Sequence, residues 1–380
     1  MEIEDKRDWI SSIKSVDECG GHKYARYAHL QLPFYAIVGG KLPELLSEYQ
    51  RPFPMVTTVW LKIHKGAASG NVSELLDGAK EAIIEFKRTV SRLFPNATTF
   101  GVTSSIVFGR DESHMEPYAG RLFSEFLRGG EGIQYFSADN NIVDSGLATA
   151  ATGLTHITYA ECSSVQTFVE LIRNNSPTLQ SLYIEAIDPQ LLARLVQLPN
   201  MDTVEYPELT RLTVGCADRM AVVGRSTLVG SPFPRLQHLS LTQAYPFTND
   251  VVFRGNYQRL EHLSLHLDTS DILILNGYGT FAKGRFPNVN HMELSFVDQS
   301  FDKELAELAA AAQTIAPTVY VFLRKLEDAP LSLLRYLKIT DLSLSMNNVL
   351  DILHWLPTLA QMVFEPEGAE GPDVCIADML

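Results

Sequence analysis

A nine-residue phrase, apolar-Pro-x-Leu-x-x-Leu-x-Leu, returns along this chain and restricts its folding more than any other feature. Its fullest copy is Phe233-Pro234-Arg235-Leu236-Gln237-His238-Leu239-Ser240-Leu241. Proline stands two residues ahead of the leading apolar residue at Pro54, Pro95, Pro177, Pro207, Pro234, Pro287, Pro317 and Pro357. Leu154, Leu179, Leu209, Leu236, Leu260 and Val289 open successive copies at intervals of 24 to 30 residues. Proline cannot extend a preceding helix, and it biases the residue before it toward extended backbone. Each copy therefore predicts a helix end turning into a short strand, whose second and third leucines share a face by period-two alternation. A unit of one strand and one helix this short cannot bury its apolar face alone. Stacking of successive units encloses the core.

The intervening sequence supplies the opposite wall. Leu76, Ala79, Ile83, Phe86, Val90 and Leu93 are spaced as one helix face, with Ser73 placed to cap it. Three further stripes are Val165/Phe168/Val169/Ile172, Leu305/Leu308/Ala309/Ala312/Ile315 and Val349/Leu350/Leu353/Leu356. Weaker copies are expected at Val319-x-x-Phe322, Ile339-x-x-Leu342-x-Leu344 and Leu359-x-x-Met362-x-Phe364, and Ile133 with Tyr135 suggests a degenerate strand. Residues 1–50 lack the repeat. Trp9, Ile10, Ile13 and Val16 form a short helical stripe there, and the segment reads as a cap on the first coil. The solenoid spans 51–364. Residues 365–380, opening Glu365-Pro366-Glu367-Gly368, read as an acidic flexible tail.

Composition narrows the setting. Of 380 residues, 46% are hydrophobic, ample for a large core, and the net charge of −14 repels phosphate backbones, so nucleic acid is not an expected partner. No apolar run approaches the roughly 20 residues that span a bilayer, and Met1-Glu2-Ile3-Glu4-Asp5 is acidic where a secretion signal is basic and then apolar. Cys19, Cys162, Cys216 and Cys375 are scattered, as in reducing compartments. A monomer in the cytoplasm or nucleus is expected.

Candidate binding residues come from the outward strand positions. The first such position gives Thr58, Thr99, His156, Ser181, Arg211, His238, His262, His291, Asp341 and Gln361. The second gives Trp60, Gly101, Thr158, Tyr183, Thr213, Ser240, Ser264, Glu293, Ser343 and Val363. Parallel stacking would set neighbours in each column about 4.8 Å apart. Trp60, His156, Tyr183, Arg211, His238, His262, His291 and Glu293 are the candidate partner-binding set, since aromatic and arginine side chains carry most interface energy. His238, His262 and His291 fall side by side, and at that pitch imidazoles suit a partner-contacting strip, a metal or a proton-sensitive cluster. Arg211 is the sole basic residue in either column, which argues against a phosphate-tracking groove. No Gly-x-Ser-x-Gly, Walker loop or His-Glu-x-x-His motif is present, so neither catalysis nor a cofactor is expected.

Taken together, the copies from 53 to 364 resemble leucine-rich repeats. Phe-Pro-x-Leu-x-x-Leu-x-Leu, and Asn174-Asn175-Ser176-Pro177-Thr178-Leu179-Gln180-Ser181-Leu182, are similar to the irregular repeats of fungal F-box/leucine-rich-repeat proteins. The resemblance implies an α/β horseshoe-like arc with parallel strands on the concave face and helices and loops on the convex face. It implies a non-catalytic scaffold that binds another protein through that concave face. The family's Asn or Cys three residues after the last strand leucine occurs only at Cys162 and Asn347, which predicts an irregular curve. No intact F-box is found. Tyr24-Ala25-Arg26-Tyr27-Ala28-His29-Leu30-Gln31-Leu32 instead looks like the segment that follows one. The alternatives are a substrate-receptor subunit of a cullin-type ubiquitin ligase, docking an adaptor through a divergent N-terminus in residues 1–35, and more remotely a metal-binding protein or enzyme using the histidine column.

Overall fold

The structure, a computed structural model, describes residues 25–39, 52–65, 79–106, 119–122, 124, 133–138, 145–161, 165–187, 194–195, 204–216, 232–242, 257–268, 286–297, 324, 331–340, 346–365 and 374–375. Its backbone divides into two units, Met1–Leu179 and Gln180–Leu380.

In the first unit the elements are β1 (Tyr27–Pro33), α1 (Phe34–Val38), β2 (Thr58–His64), α2 (Ala79–Leu93), β3 (Thr99–Ser105), β4 (Ile133–Ala138), α3 (Ser145–Ala150), β5 (His156–Glu161) and α4 (Val165–Asn174). Strands β1 to β5 pair in parallel and in chain order. The second unit holds β6 (Ser181–Ile187), β7 (Arg211–Cys216), β8 (His238–Thr242), β9 (His262–Asp268), β10 (His291–Val297), β11 (Tyr336–Thr340), α5 (Met346–Trp355), β12 (Gln361–Glu365) and β13 (Val374–Cys375). There β6 to β12 pair in parallel, again in chain order. Each unit is a solenoid-like α/β arrangement, one strand to a coil.

The repeated phrase explains this directly. The leading apolar residue donates its N–H to the carbonyl three residues back: Val56 to Phe53, Leu209 to Tyr206, Leu236 to Phe233, Val289 to Phe286 and Leu359 to Leu356, at 3.0–3.4 Å. That closes a β-turn with proline at its second residue, where the ring's fixed φ is already correct. The first turn residue is a buried ring in several copies, ahead of proline at Phe53, Phe94, Tyr206, Phe233 and Phe286 and ahead of Gln258 at Tyr257. These rings meet between coils: Phe53 with Phe94 at 5.6 Å, Tyr206 with Phe233 at 5.6 Å, Tyr257 with Phe286 at 6.3 Å. Burial holds the Tyr257 phenol far above its usual titration range. Behind the turn, Leu212, Leu239, Leu263, Met292, Leu337 and Met362 stand in register and are buried, forming one wall of the core.

The residue after the proline stitches coils together. Asn96 Nδ2 donates to the Pro54 carbonyl at 2.8 Å, and Asn288 Nδ2 likewise to the Gln258 carbonyl. Thr178 Oγ1 donates to the Leu154 carbonyl at 2.9 Å and Thr358 Oγ1 to the Leu334 carbonyl at 3.0 Å. Arg235 meets Glu208 at 2.6 Å at the same position. Both side chains are about half exposed, so that pair contributes little.

Helices follow the expected stripes with one change. Ala79, Ile83, Phe86, Val90 and Leu93 are buried on α2, as are Phe168, Val169 and Ile172 on α4, where Phe168 meets the inward Tyr159 of β5 at 4.4 Å. On α5 the buried residues are Val349 and Ile352, with Leu356 just beyond its end, whereas the expected Leu350 is 56% exposed. Leucine and isoleucine are equivalent to a periodicity argument, and the packing chose the other row.

Three further differences concern strands. β1 lies inside the segment read as a cap and continues the parallel pairing, from Tyr27 opposite Thr58 to Pro33 opposite His64. The copy expected at Ile339-x-x-Leu342-x-Leu344 is instead Leu334-x-x-Leu337-x-Ile339 on β11. Its turn runs from Leu331 to Leu334 with Ser332 at the proline position, so the punctuation that identified other copies is missing. Finally, part of the expected tail is ordered: Val374 and Cys375 pair antiparallel with Phe364 and Val363. An open strand edge leaves backbone groups unpaired, and this short return covers the last one. The expected helices at Trp9–Val16 and Leu305–Ile315, the Ser73 cap, the Val319 copy, and Asp341 and Ser343 lie outside the described residues. Among the described residues no helix is long and apolar enough to cross a membrane.

Candidate partner-binding face

Strand alternation sends every second side chain away from the core. In the second unit the expected columns form from β6 to β10, where Arg211, His238, His262 and His291 stand in register on β7 to β10. Beside them run Thr213, Ser240, Ser264 and Glu293. On β11 Tyr336 and Lys338 take the places expected for Asp341 and Ser343, and on β12 Val363, expected to face outward, is buried. The imidazoles are stacked. His238 and His262 lie 4.3 Å apart with planes 24° from parallel, and His262 and His291 lie 4.7 Å apart at 32°. The ladder continues onto Tyr336, 4.1 Å from His291 at 10°. Tyr336 is absent from the expected columns because the copy expected there starts five residues further along the chain, at Ile339 instead of Leu334. Aligning on buried Leu337 and Ile339 would have found it.

The electrostatics of the ladder follow from this crowding. Burial is the largest cause holding His238 below the usual histidine range, followed by the charges His262 and Arg211 would place beside it, against an opposing pull from Glu261. His262 is lowered first by burial and then by His291, with Glu261 and Glu293 opposing. At neutral pH these two rings are therefore uncharged and stack as aromatics. His291 Nε2 lies 3.0 Å from Glu293 Oε1, which holds that carboxylate against the ladder at His291.

Between the rings and the next outward column lies a shallow groove of about 150 Å³. Its existence follows from side-chain size: Thr213, Ser240 and Ser264 are small, while their neighbours on β8, β9 and β10 in the first column are rings. Arg211 is exposed on β7 and Tyr183, 40% exposed, projects from β6 opposite Thr213.

The first unit departs from the two-column expectation. Pairing of β3 with β4 shifts between Phe100 and Gly101, so that Phe100 faces Ile133 while Gly101 faces Tyr135. Tyr135 in turn faces His156 on β5. Trp60, opposite Gly101 on β2, consequently reaches across the glycine to Tyr135, with ring centres 5.0 Å apart. A Cβ at position 101 would stand 2.2 Å from Trp60 Cε3, so the missing side chain is what allows the indole to lie there. Tyr135 stacks on His156 at 4.2 Å and 24°, and His156 Nδ1 lies 2.9 Å from Thr155 Oγ1. Trp60, Tyr135 and His156 thus form a run of rings, and Thr99 does not continue the column to His156. Counting residues cannot find such a shift, because the extra residue, Gln134, looks like any other strand residue.

The eight expected residues are therefore gathered into two clusters, Trp60 and His156 in the first unit and the other six in the second. Among the described residues no group of three or more His, Cys, Asp or Glu is placed to hold a metal ion. Stacked imidazoles also direct their in-plane nitrogens along neighbouring planes instead of toward one point. Comparison with known proteins found no matching family model and no matching curated protein, so the face must be understood from its own geometry.

Proposed function

We propose that this chain is a leucine-rich-repeat solenoid that performs no reaction and binds another protein through the outward face of its strands. One observation carries this reading: aromatic side chains are held out of the core, in register and stacked, at His238, His262, His291 and Tyr336. Rings with few rotatable bonds give contact area at small entropic cost, and they concentrate at interface hot spots. Trp60, Tyr183 and Arg211 add the side-chain types most often found there. The nearest alternative is the substrate-receptor role, in which the divergent N-terminus, residues 1–35, would dock a ligase adaptor; its part ahead of β1, residues 1–24, can be removed without cutting a paired strand.

The test compares affinity capture by the native chain with capture by a Trp60→Ala, Tyr183→Ala, Arg211→Glu variant shown by circular dichroism and melting to be folded. Loss of specific proteins from the variant supports the reading. An unchanged set places the contact elsewhere. An adaptor captured by the full chain and lost on removing residues 1–24 assigns the receptor role, and stoichiometric metal in the purified protein would favour the metal reading.

A further inference from the structure

We propose that the groove of the second unit receives an extended peptide bearing an acidic and a basic side chain about five residues apart. This rests on the protein-binding reading and names the chemistry of the partner segment. Three features of the face lead to it.

The first is charge placement. Arg211 stands exposed on β7 at one end, and Glu293 stands on β10 at the other, with its side chain 43% exposed. The rings between them, His238 and His262, are held toward their neutral forms. A ligand of a single sign satisfies one end and opposes the other. A nucleic acid would carry uniform negative charge past Glu293 on a chain of net charge −14. A segment carrying both signs satisfies both ends.

The second is distance. β7 to β10 is three strand steps, in register throughout. His291 is the residue in register with Arg211, and Glu293 stands two residues further along β10. At about 4.8 Å per step and about 3.3 Å per residue the ends are about 16 Å apart, which an extended peptide covers in about five residues.

The third is the groove floor. Thr213, Ser240 and Ser264 place a row of hydroxyls along the path. A hydroxyl both donates and accepts, which suits the alternating N–H and C=O groups of an extended backbone. The groove is shallow, so the segment lies along it, crossing the strands with one edge on the hydroxyls and one side against the stacked rings.

The experiment uses the full chain and fluorescein-labelled Gly/Ser peptides carrying a single Glu and a single Lys, separated by two to six residues. Fluorescence anisotropy is expected to show the tightest binding at a separation near five. Arg211→Glu and Glu293→Lys should each weaken that peptide about tenfold, as charge reversal at a contact does. Rescue is expected from matched charge: Glu293→Lys should prefer a Glu/Glu peptide, and Arg211→Glu a Lys/Lys peptide. Absence of binding, affinity independent of spacing, or indifference to both substitutions would overturn the proposal. If those outcomes occur while protein capture remains sensitive to the Trp60, Tyr183 and Arg211 changes, the peptide chemistry is wrong and the protein-binding reading stands.

Discussion

Single side chains decide where the outward rings lie. Gly101 is the clearest case, since Trp60 occupies the space a Cβ would fill. Gly101→Ala is expected to lift the indole from Tyr135 and destabilise the fold by about 1–3 kcal/mol, the usual cost of overpacking, with a red shift in tryptophan emission as the check. Gly215 is tighter still: a Cβ there would stand 1.9 Å from the Glu185 carbonyl oxygen, and a backbone atom cannot step aside as a ring can. The histidines are expected to make stability depend on pH. His238 and His262 titrate lower in the folded chain than unfolded, with Arg211, Glu261, His291 and Glu293 as their charged and titratable neighbours. Between the folded values and the unfolded value of about 6.5, the unfolded chain holds more protons. Their contribution to stability is therefore complete above about pH 6.5 and lost as pH falls through the folded values. The melting temperature should drop on acidification in this window, and a His238→Gln, His262→Gln variant should show a shallower drop. An identical slope in the two proteins would mean the ladder is not responsible.

Elements are held to one another by hydrogen bonds that the repeat pattern does not advertise. Asn175 is fully buried after α4. Its Nδ2 donates to the Ala151 and Leu171 carbonyls at 2.7 and 2.8 Å, and its Oδ1 accepts the Leu154 N–H at 2.8 Å. It thus ties the end of α4 to the turn before β5. Asn175→Ala would leave three buried backbone groups without that partner and should cost at least about 2 kcal/mol, measured by urea unfolding; Asn175→Asp cannot donate and should not rescue it. The motif-rich strands were legible, because proline, leucine spacing and β-turn geometry all mark the same residues. β11 was misplaced where Ser332 replaces proline, and the α5 stripe was misassigned where two apolar rows compete. In both cases packing settled a choice that local chemistry left open.

Across the molecule, repetition leaves a strand edge that must be managed. β13 pairs antiparallel on β12 and occupies that edge. Removing residues 366–380 should expose the β12 ladder and promote self-association, seen as a larger mass by light scattering than that of the full chain at equal concentration. The chain's own text was sufficient for the parallel coils, their length, the inward leucines and the column Arg211, His238, His262, His291, because proline turns and period-two alternation are local and each copy repeats the same instruction. Three-dimensional packing alone settled the run Trp60–Tyr135–His156, the addition of Tyr336 to the ladder and the closing strand β13. Each of these depends on which residue lies beside which across coils, and a register shift of one residue, invisible along the chain, moves every later side chain to a new neighbour.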